Sequence, residues 1–116
     1  MATVPTYIWS GVSGKAYTYH VYANPPNFTN PKEEGNYIYC RLVANRWVPV
    51  YIGEGCLADR CIPSHHKARC IQGKGATHVH AHLEYSELAR KAEERDLLAS
   101  HAIAYWPMGC NDKIGG

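Results

Sequence analysis

The sequence predicts an α+β fold, in which a small antiparallel central sheet is flanked by helices and extended by an extra N-terminal β-hairpin. Short tyrosine-rich segments separated by turn residues indicate strands that pair as hairpins. The longest segment with helical periodicity comes after the last of these strands. With 116 residues, the chain is expected to form a single domain over residues 1–116.

The N-terminal hairpin is predicted from two strands, residues 3–9 and 15–22, with a glycine-containing turn between them. Alternation in the second strand allows one of its faces to be buried. Residues 23–34 contain three prolines and are expected to form an irregular loop. Residues 1–34 are therefore interpreted as an embellishment of a core that spans residues 35–112.

A second hairpin is predicted at the start of that core. Residues 35–43 and 47–52 form its strands, and two glycines then loosen the backbone. A helix is expected to begin near Cys56 or Leu57, and Pro63 must end or kink it.

The second half of the core is predicted to hold one more strand and the longest helix. Residues 76–83 alternate like a strand. Ser86 is suited to cap a helix, with Glu87 placed favourably for the helix dipole. The helix is expected to end near Ser100 or His101.

The order of reactive groups along the chain suits metal-assisted hydrolysis of a phosphodiester. A phenol can take a proton, a guanidinium can hold phosphate charge, and a carboxylate can hold a divalent cation. The groups that make up this set, with a late amide, are Tyr37, Tyr51, Arg60, Glu94 and Asn111.

These residues, in this order and at roughly this spacing, resemble the GIY-YIG nuclease family over about residues 35–112. The two tyrosine motifs are Gly35-Asn36-Tyr37, in which asparagine replaces the usual isoleucine, and Tyr51-Ile52-Gly53. The resemblance implies a GIY-YIG endonuclease fold and a nuclease that uses Mg²⁺ or Mn²⁺. It also implies that a motif tyrosine assists the attacking water and that Asn111 supports the site by hydrogen bonds.

Glu94 is the predicted metal ligand. Helical spacing places it on the face of Leu97 and Leu98, whereas Glu93 and Asp96 lie at other angles and are expected to be solvated. An unpaired carboxylate that faces the sheet is costly, and a bound Mg²⁺ or Mn²⁺ would remove that cost.

The alternative for Glu94 is a salt bridge, either to Arg90 four residues earlier or to Arg60 across the fold. The accompanying motifs favour the metal. Because a single carboxylate cannot saturate Mg²⁺, the remaining ligands would be waters and a substrate phosphate.

Tyr37 and Tyr51 are both candidates for the base. A free phenol has a pKa near 10, and a nearby cation such as Arg60 is expected to lower it. Tyr51 is favoured because it precedes Arg60 closely, at the entry to the glycine loop. The alternative is that the two rings only pack together across paired strands.

Arg60 is predicted to stabilise the charge of the pentacovalent phosphate. The GIY-YIG family often has a histidine or tyrosine four residues after its arginine, but Ser64 occupies that position here. Ser64, His65 and His66 are therefore alternatives for this role, and His65 is favoured.

A basic stretch follows Arg60, although the net charge of the whole chain is only +2 with histidines neutral. The stretch is interpreted as a surface that contacts phosphate, and the alternative is a solvated helix face. The expected partner is nucleic acid, DNA rather than RNA. The predicted substrate-binding residues are His66, Lys67, Arg69 and Lys74.

Other features bear on location. No apolar run approaches the roughly 20 residues of a membrane helix, and the first residues lack the pattern of a signal peptide. A cytoplasmic protein without membrane association is expected. All five cysteines are expected to be free thiols.

Two alternative functions compete with the nuclease. One is a non-catalytic nucleic-acid-binding module of the same fold. The other is a zinc-stabilised interaction domain, since His78, His80 and His82 alternate along one strand face. The outer two imidazoles are about 13 Å apart at the usual strand rise, so one ion cannot bind both.

Overall fold

The computed structural model describes residues 4–112, and it confirms an α+β fold with an antiparallel sheet. The strands are β1 Thr6–Ser10, β2 Ala16–Ala23, β3 Glu34–Val43, β4 Arg46–Cys56 and β5 His78–Leu83. The helices are α1 Leu57–Arg60, α2 Ala68–Gly73 and α3 Glu87–Ser100, and a 3-10 helix follows at Ala102–Ala104. All five strands belong to one sheet in the order β1-β2-β5-β3-β4.

The hairpin of β3 and β4 lies at one end of this sheet. Ala44 and Asn45 have positive φ values of 50° and 64°, which matches the backbone twist of a tight hairpin turn. β4 continues to Cys56, so Gly53 and Gly55 belong to the strand. The expectation that these glycines loosen the backbone is therefore wrong, because both residues still pair with β3.

The two faces of the sheet carry separate clusters of buried residues. On one face Tyr37 and Tyr39 pack with Leu57 of α1 and Ile71 of α2. On the other face Ile38 and Ile52 pack with Leu97 of α3. Helices thus cover both faces of the hairpin, and α2 has no counterpart among the predicted elements.

Local sequence explains where α3 begins. The Ser86 hydroxyl accepts a hydrogen bond from the Ala89 backbone N–H at 3.1 Å, so the predicted N-cap is confirmed. The helix ends at Ser100, also as predicted. No helix among residues 4–112 has the length and apolar character needed to cross a membrane.

The N-terminal hairpin is joined to the core by strand pairing. β2 pairs antiparallel with β5, from His20 opposite Ala81 to Ala23 opposite His78. Trp9 of β1 is buried, and its indole N–H donates to His80 Nδ1 at 2.9 Å. The hairpin therefore completes part of the hydrophobic core.

The carboxylates of Glu93 and Asp96 differ from expectation, because the N-terminal hairpin supplies their partners. Glu93 is 5% exposed, accepts a hydrogen bond from the Tyr19 hydroxyl, and lies 2.6 Å from His82 Nε2. Asp96 accepts from the Tyr17 hydroxyl at 2.7 Å and from Ser13. The prediction that both acids are simply solvated is wrong.

A disulfide joins Cys70 of α2 to Cys110 in the segment after α3. The prediction that all cysteines are free thiols is wrong for this pair, while Cys40, Cys56 and Cys61 are free. Structural disulfides are typical of oxidising compartments, so this bond gives no support to the expected cytoplasmic location.

Candidate active site

Tyr37 and Tyr51 lie on the same face of the hairpin, with ring centroids 6.1 Å apart and an interplanar angle of 27°. Tyr37 stands opposite Gly53 in the strand register. A Cβ atom at Gly53 would lie 2.5 Å from Cζ and Oη of Tyr37, so only glycine leaves room for this ring. The last glycine of the second motif thus makes space for the tyrosine of the first.

His65 is the histidine that contacts Tyr37. Its Nε2 lies 2.9 Å from Tyr37 Oη, and its Nδ1 accepts a hydrogen bond from the Lys67 backbone N–H at 2.9 Å. Because Nδ1 is an acceptor, the neutral ring carries its proton on Nε2 and donates it to Tyr37 Oη. Burial, aided by the charges of His66, Arg60 and Lys67, lowers the pKa of His65 to about 4.

The other two alternatives for the histidine position are exposed. His66 Nε2 lies 3.5 Å from Tyr51 Oη, and the two imidazole rings of His65 and His66 stack with centroids 4.4 Å apart. The two motif hydroxyls thus face different imidazole nitrogens, although the His65 ring also packs against Tyr51 with centroids 5.0 Å apart. Ser64 makes no side-chain hydrogen bond with any residue that the structure describes.

The pKa values of both phenols are raised, in contrast to the expectation that a nearby cation lowers them. Burial is the largest cause for each ring, and it raises the pKa of Tyr51 to about 12. The charge of Arg60 acts in the lowering direction on both but does not outweigh burial. Tyr51 is half-buried whereas Tyr37 is 1% exposed, so Tyr51 is the phenol that solvent can reach.

Arg60 is exposed and lies across the backbone at Gly55. Gly55 has a φ of +138°, and a Cβ there would be 2.9 Å from Arg60 Nε. The positive charge of Arg60 acts in the direction that lowers the pKa values of four surrounding groups. They are Tyr37, Tyr51, His65 and Glu94.

No ion pair holds the guanidinium of Arg60 within residues 4–112. It is therefore available to an anion from outside the chain. A planar set of N–H donors of this kind suits a phosphate group.

Glu94 is half-buried on α3, the helix that packs against the edge strand β4. Burial is the main cause that raises its pKa, and the Glu54 carboxylate adds to the shift. Its own charge raises the pKa of Tyr51. The expected inward direction of Glu94 thus agrees with its position near Tyr51 and Arg60.

The alternative for Glu94, a salt bridge to Arg90 or to Arg60, is not formed. Arg90 is buried and donates from Nε to Glu54 at 2.8 Å, with Glu34 at 3.7 Å. Glu94 makes no ion pair with any described residue. Sequence analysis missed Glu54, although its place directly after the second tyrosine motif, two residues from the inward-facing Ile52, could have indicated it.

The surroundings of Glu94 fit a divalent cation. The carboxylate is partly desolvated and lies near the Glu54 carboxylate, and it makes no ion pair in the described part of the chain, although the charges of Lys91, Arg95 and Arg60 act on it. A cation there would relieve both burial and repulsion. No three His, Cys, Asp or Glu residues within 4–112 form a ligand set. An ion at Glu94 would therefore complete its shell with water and phosphate oxygens.

Asn111 holds the second tyrosine motif from the outer side of β4. Its Oδ1 accepts from the Ile52 N–H at 2.9 Å, and its Nδ2 donates to the Ile52 carbonyl at 2.8 Å. The adjacent Cys110 N–H donates to the Val50 carbonyl at 2.7 Å. Asn111 therefore supports the backbone between Tyr51 and Gly53 and touches neither phenol.

The predicted substrate-binding residues do not form one uniform surface. Lys67 pairs with Asp112 at 2.7 Å. Lys74 donates to the Pro107 carbonyl at 2.5 Å and lies 5.2 Å from the centre of the Trp106 ring. His66 and Arg69 remain exposed without an ion pair among residues 4–112.

The three histidines of β5 have separate partners. His80 is fully buried and accepts from Trp9, and His82 contacts Glu93. His78 lies 2.9 Å from the Thr77 hydroxyl. This arrangement gives no ligand cluster that favours the zinc-stabilised alternative.

No protein-family model, curated protein or solved structure matches this chain. The function is therefore argued from the chemistry of the site.

Proposed function

We propose that this protein is a metal-dependent endonuclease of the GIY-YIG type, which hydrolyses phosphodiester bonds in nucleic acid, with DNA as the expected substrate. Two observations support this proposal: the two motif tyrosines pack side by side with a histidine at hydrogen-bond distance, and one exposed cation acts on groups that are far apart in the chain. The Arg60 charge acts at once on Tyr37, Tyr51 and Glu94.

Arg60 is proposed to bind the scissile phosphate. Its guanidinium is exposed and carries no ion pair among the described residues, so no partner has to be displaced before it receives an anion. Its charge stabilises the additional negative charge of the phosphorane more than that of the bound phosphate.

Glu94 is proposed to hold the divalent cation. A bound Mg²⁺ or Mn²⁺ would supply positive charge beside the leaving oxygen and lower the pKa of nearby hydroxyl groups. Glu54 stays paired with Arg90 and keeps negative potential near Glu94 that favours a cation.

Tyr51 is proposed to accept the proton of the attacking water. Its phenol must first give up its own proton, and His66 Nε2, 3.5 Å away, is the nearest imidazole nitrogen that can take it. Tyr37 has a different role, because His65 donates to its oxygen. The Tyr37 hydroxyl proton is therefore directed to another acceptor, and the buried Tyr37 ring positions Tyr51 beside it rather than acting as the base.

Cleavage assays with matched variants test the proposal. Wild type, Glu94→Gln and the exposed control Glu87→Gln are compared on plasmid, structured DNA and structured RNA with Mg²⁺ or Mn²⁺. We expect Glu94→Gln to cut at least about 100-fold more slowly, because it lacks the metal ligand, while it still binds labelled DNA. Glu87→Gln should cut like wild type.

Equal cleavage by wild type and Glu94→Gln would assign the activity to a contaminant or to another site. Binding of nucleic acid by the wild type without cleavage in either metal would instead favour the non-catalytic binding module.

A further inference from the structure

A cavity of about 230 Å³ adjoins the candidate active site. His65 forms part of its wall, and the Nε2–H of the same ring donates to Tyr37. The His65 imidazole thus lines the cavity and also contacts Tyr37. It opens between the loop at residues 24–26 and the segment at 62–72.

The walls of the cavity are mostly apolar. The lining includes Pro25, Pro26, Ile62, Pro63 and Ile71. A surface of this kind favours a weakly hydrated group.

Tyr39 gives the cavity a polar group that the fold leaves unused. Its side chain lines the cavity and is only 4% exposed, and its hydroxyl has no hydrogen-bond partner among residues 4–112. Burial raises the pKa of this phenol, so it remains a protonated donor at neutral pH. A hydroxyl at the wall of an open cavity, without a partner in the described chain, can donate to a ligand or to water.

His65 contributes only a ring surface to the cavity, because both of its nitrogens are engaged by Tyr37 and Lys67. At the rim, Asn24 and Gln72 each carry an amide with donors and acceptors. The cavity therefore combines apolar walls, two aromatic rings and a few hydrogen-bonding groups.

We propose that this cavity binds one unpaired nucleobase of the substrate, next to the phosphate that is cleaved. The proposal rests on the proposed function, which makes nucleic acid the substrate. A base is planar and stacks on aromatic rings, and its edge carries acceptors for Tyr39 and partners for the amides. The preferred substrate would then have an unpaired nucleotide at the cleavage point, as in a single strand, bulge or flap.

Abasic substitution is the test in cleavage. A series of single-stranded and bulged oligonucleotides is prepared, each with one abasic nucleotide at a different position around the cut. Each is assayed with wild type, Tyr39→Phe and the cavity-filling Ala68→Leu. Tyr7→Phe and Ala99→Leu, both at exposed positions, are the matched controls.

We expect one abasic position to slow wild-type cleavage about tenfold or more, because a stacked base is lost. Tyr39→Phe should slow cleavage of the intact substrate about fivefold and have no further effect on that abasic substrate, since the partner of the hydroxyl is already missing. Equal cleavage of all abasic substrates would overturn the cavity proposal and leave the nuclease proposal standing.

A binding experiment tests whether the cavity holds a nucleobase, independently of cleavage. Nucleoside 5′-monophosphates and, separately, inorganic phosphate are titrated into ¹⁵N-labelled protein, and the amide signals of Ala68 and Ile71 are followed. Base-dependent shifts that disappear in Ala68→Leu support the cavity even if no substrate is cut. Shifts no larger than those with phosphate would overturn it.

Discussion

Two buried histidines have fixed tautomers, because in each ring Nδ1 accepts a hydrogen bond from an N–H group. The donor is the Lys67 backbone for His65 and the Trp9 indole for His80. Burial is the main cause that lowers the pKa of both rings to about 4. Both therefore stay neutral at pH 7, and His65 acts on Tyr37 as a permanent donor rather than as a titrating base.

Stability should fall as the pH is lowered from about 6.5 to about 4. In this range His65 and His80 bind protons in the unfolded chain but not in the folded chain. Near pH 4, each ring should therefore lower the unfolding free energy by up to about 3 kcal/mol. His80→Asn keeps an acceptor for Trp9 but cannot be protonated. Its urea-unfolding free energy should depend less steeply on pH.

The control for this measurement is His20→Asn, which replaces an exposed histidine. It should keep the wild-type slope. An unchanged slope in His80→Asn would contradict the role assigned to burial of that ring.

A methyl group at position 53 should disrupt the site. In Gly53→Ala the new Cβ would lie 2.5 Å from the Tyr37 ring, which must shift away from Tyr51 and His65. We expect a loss of about 1–3 kcal/mol in unfolding free energy and reduced cleavage. Gly73→Ala is the control, because a Cβ there has no atom within 4 Å. Equal stability of the two variants in urea would show that Tyr37 does not pack on Gly53.

The segment after α3 acts as one element that holds β4 in place. Asn111 bonds both backbone groups of Ile52, and Cys110 bonds the Val50 carbonyl. The disulfide from Cys110 to Cys70 ties the same segment to α2. The backbone of the second tyrosine motif is thus fixed from a distant part of the chain.

Loss of the disulfide should weaken this element. The bond joins residues separated by 40 positions, and in the chain-entropy treatment such a loop corresponds to about 4 kcal/mol. Replacement of Cys70 and Cys110 by serine should lower the unfolding midpoint, whereas Cys56→Ser, at a free cysteine, should change it little.

Thiol titration checks the premise directly. The denatured, unreduced protein should show three reactive thiols, from Cys40, Cys56 and Cys61. A count of five would contradict the disulfide.

At the scale of the whole molecule, one sheet joins the N-terminal hairpin to the hairpin that carries the two tyrosine motifs. Tyr19 of β2 and His82 of β5 both contact Glu93 of α3. This buried carboxylate connects three elements. Loss of its partner Tyr19 in the N-terminal hairpin should therefore destabilise the whole domain.

Tyr19→Phe tests that connection. It removes one of the two partners of a buried carboxylate and should cost about 2 kcal/mol. Because β2 and β5 are paired, far-ultraviolet circular dichroism and tryptophan fluorescence should shift to the same lower midpoint. Tyr7→Phe, at a 39% exposed position, is the control. Separate transitions for the two signals would show that the hairpin unfolds on its own.

Sequence analysis succeeded where the determining interactions are local. The tight turn of the central hairpin depends on neighbouring residues, and the cap at Ser86 depends on a contact three residues away. It failed for Glu93 and for the Cys70–Cys110 pair, because their partners lie in distant segments that only the folded chain brings together.

In the candidate site, too, the interactions between distant segments could not be predicted from the sequence. The selection of Tyr37, Tyr51, Arg60 and Glu94 as site residues stays a prediction, and in the fold the charge of Arg60 acts on the other three groups. The pairing of Arg90 with Glu54 rather than Glu94 depends on how α3 packs across β4, and helical spacing alone does not contain that information.

The two ends of the sheet are protected differently. The Asn111 segment covers the outer backbone of β4, whereas β1 pairs only with β2 in the described part of the chain and exposes 57% of Ile8. An uncovered strand offers its peptide groups to any extended chain that approaches. Self-association of this protein by strand addition would thus begin at β1, at the opposite end of the sheet from the tyrosines.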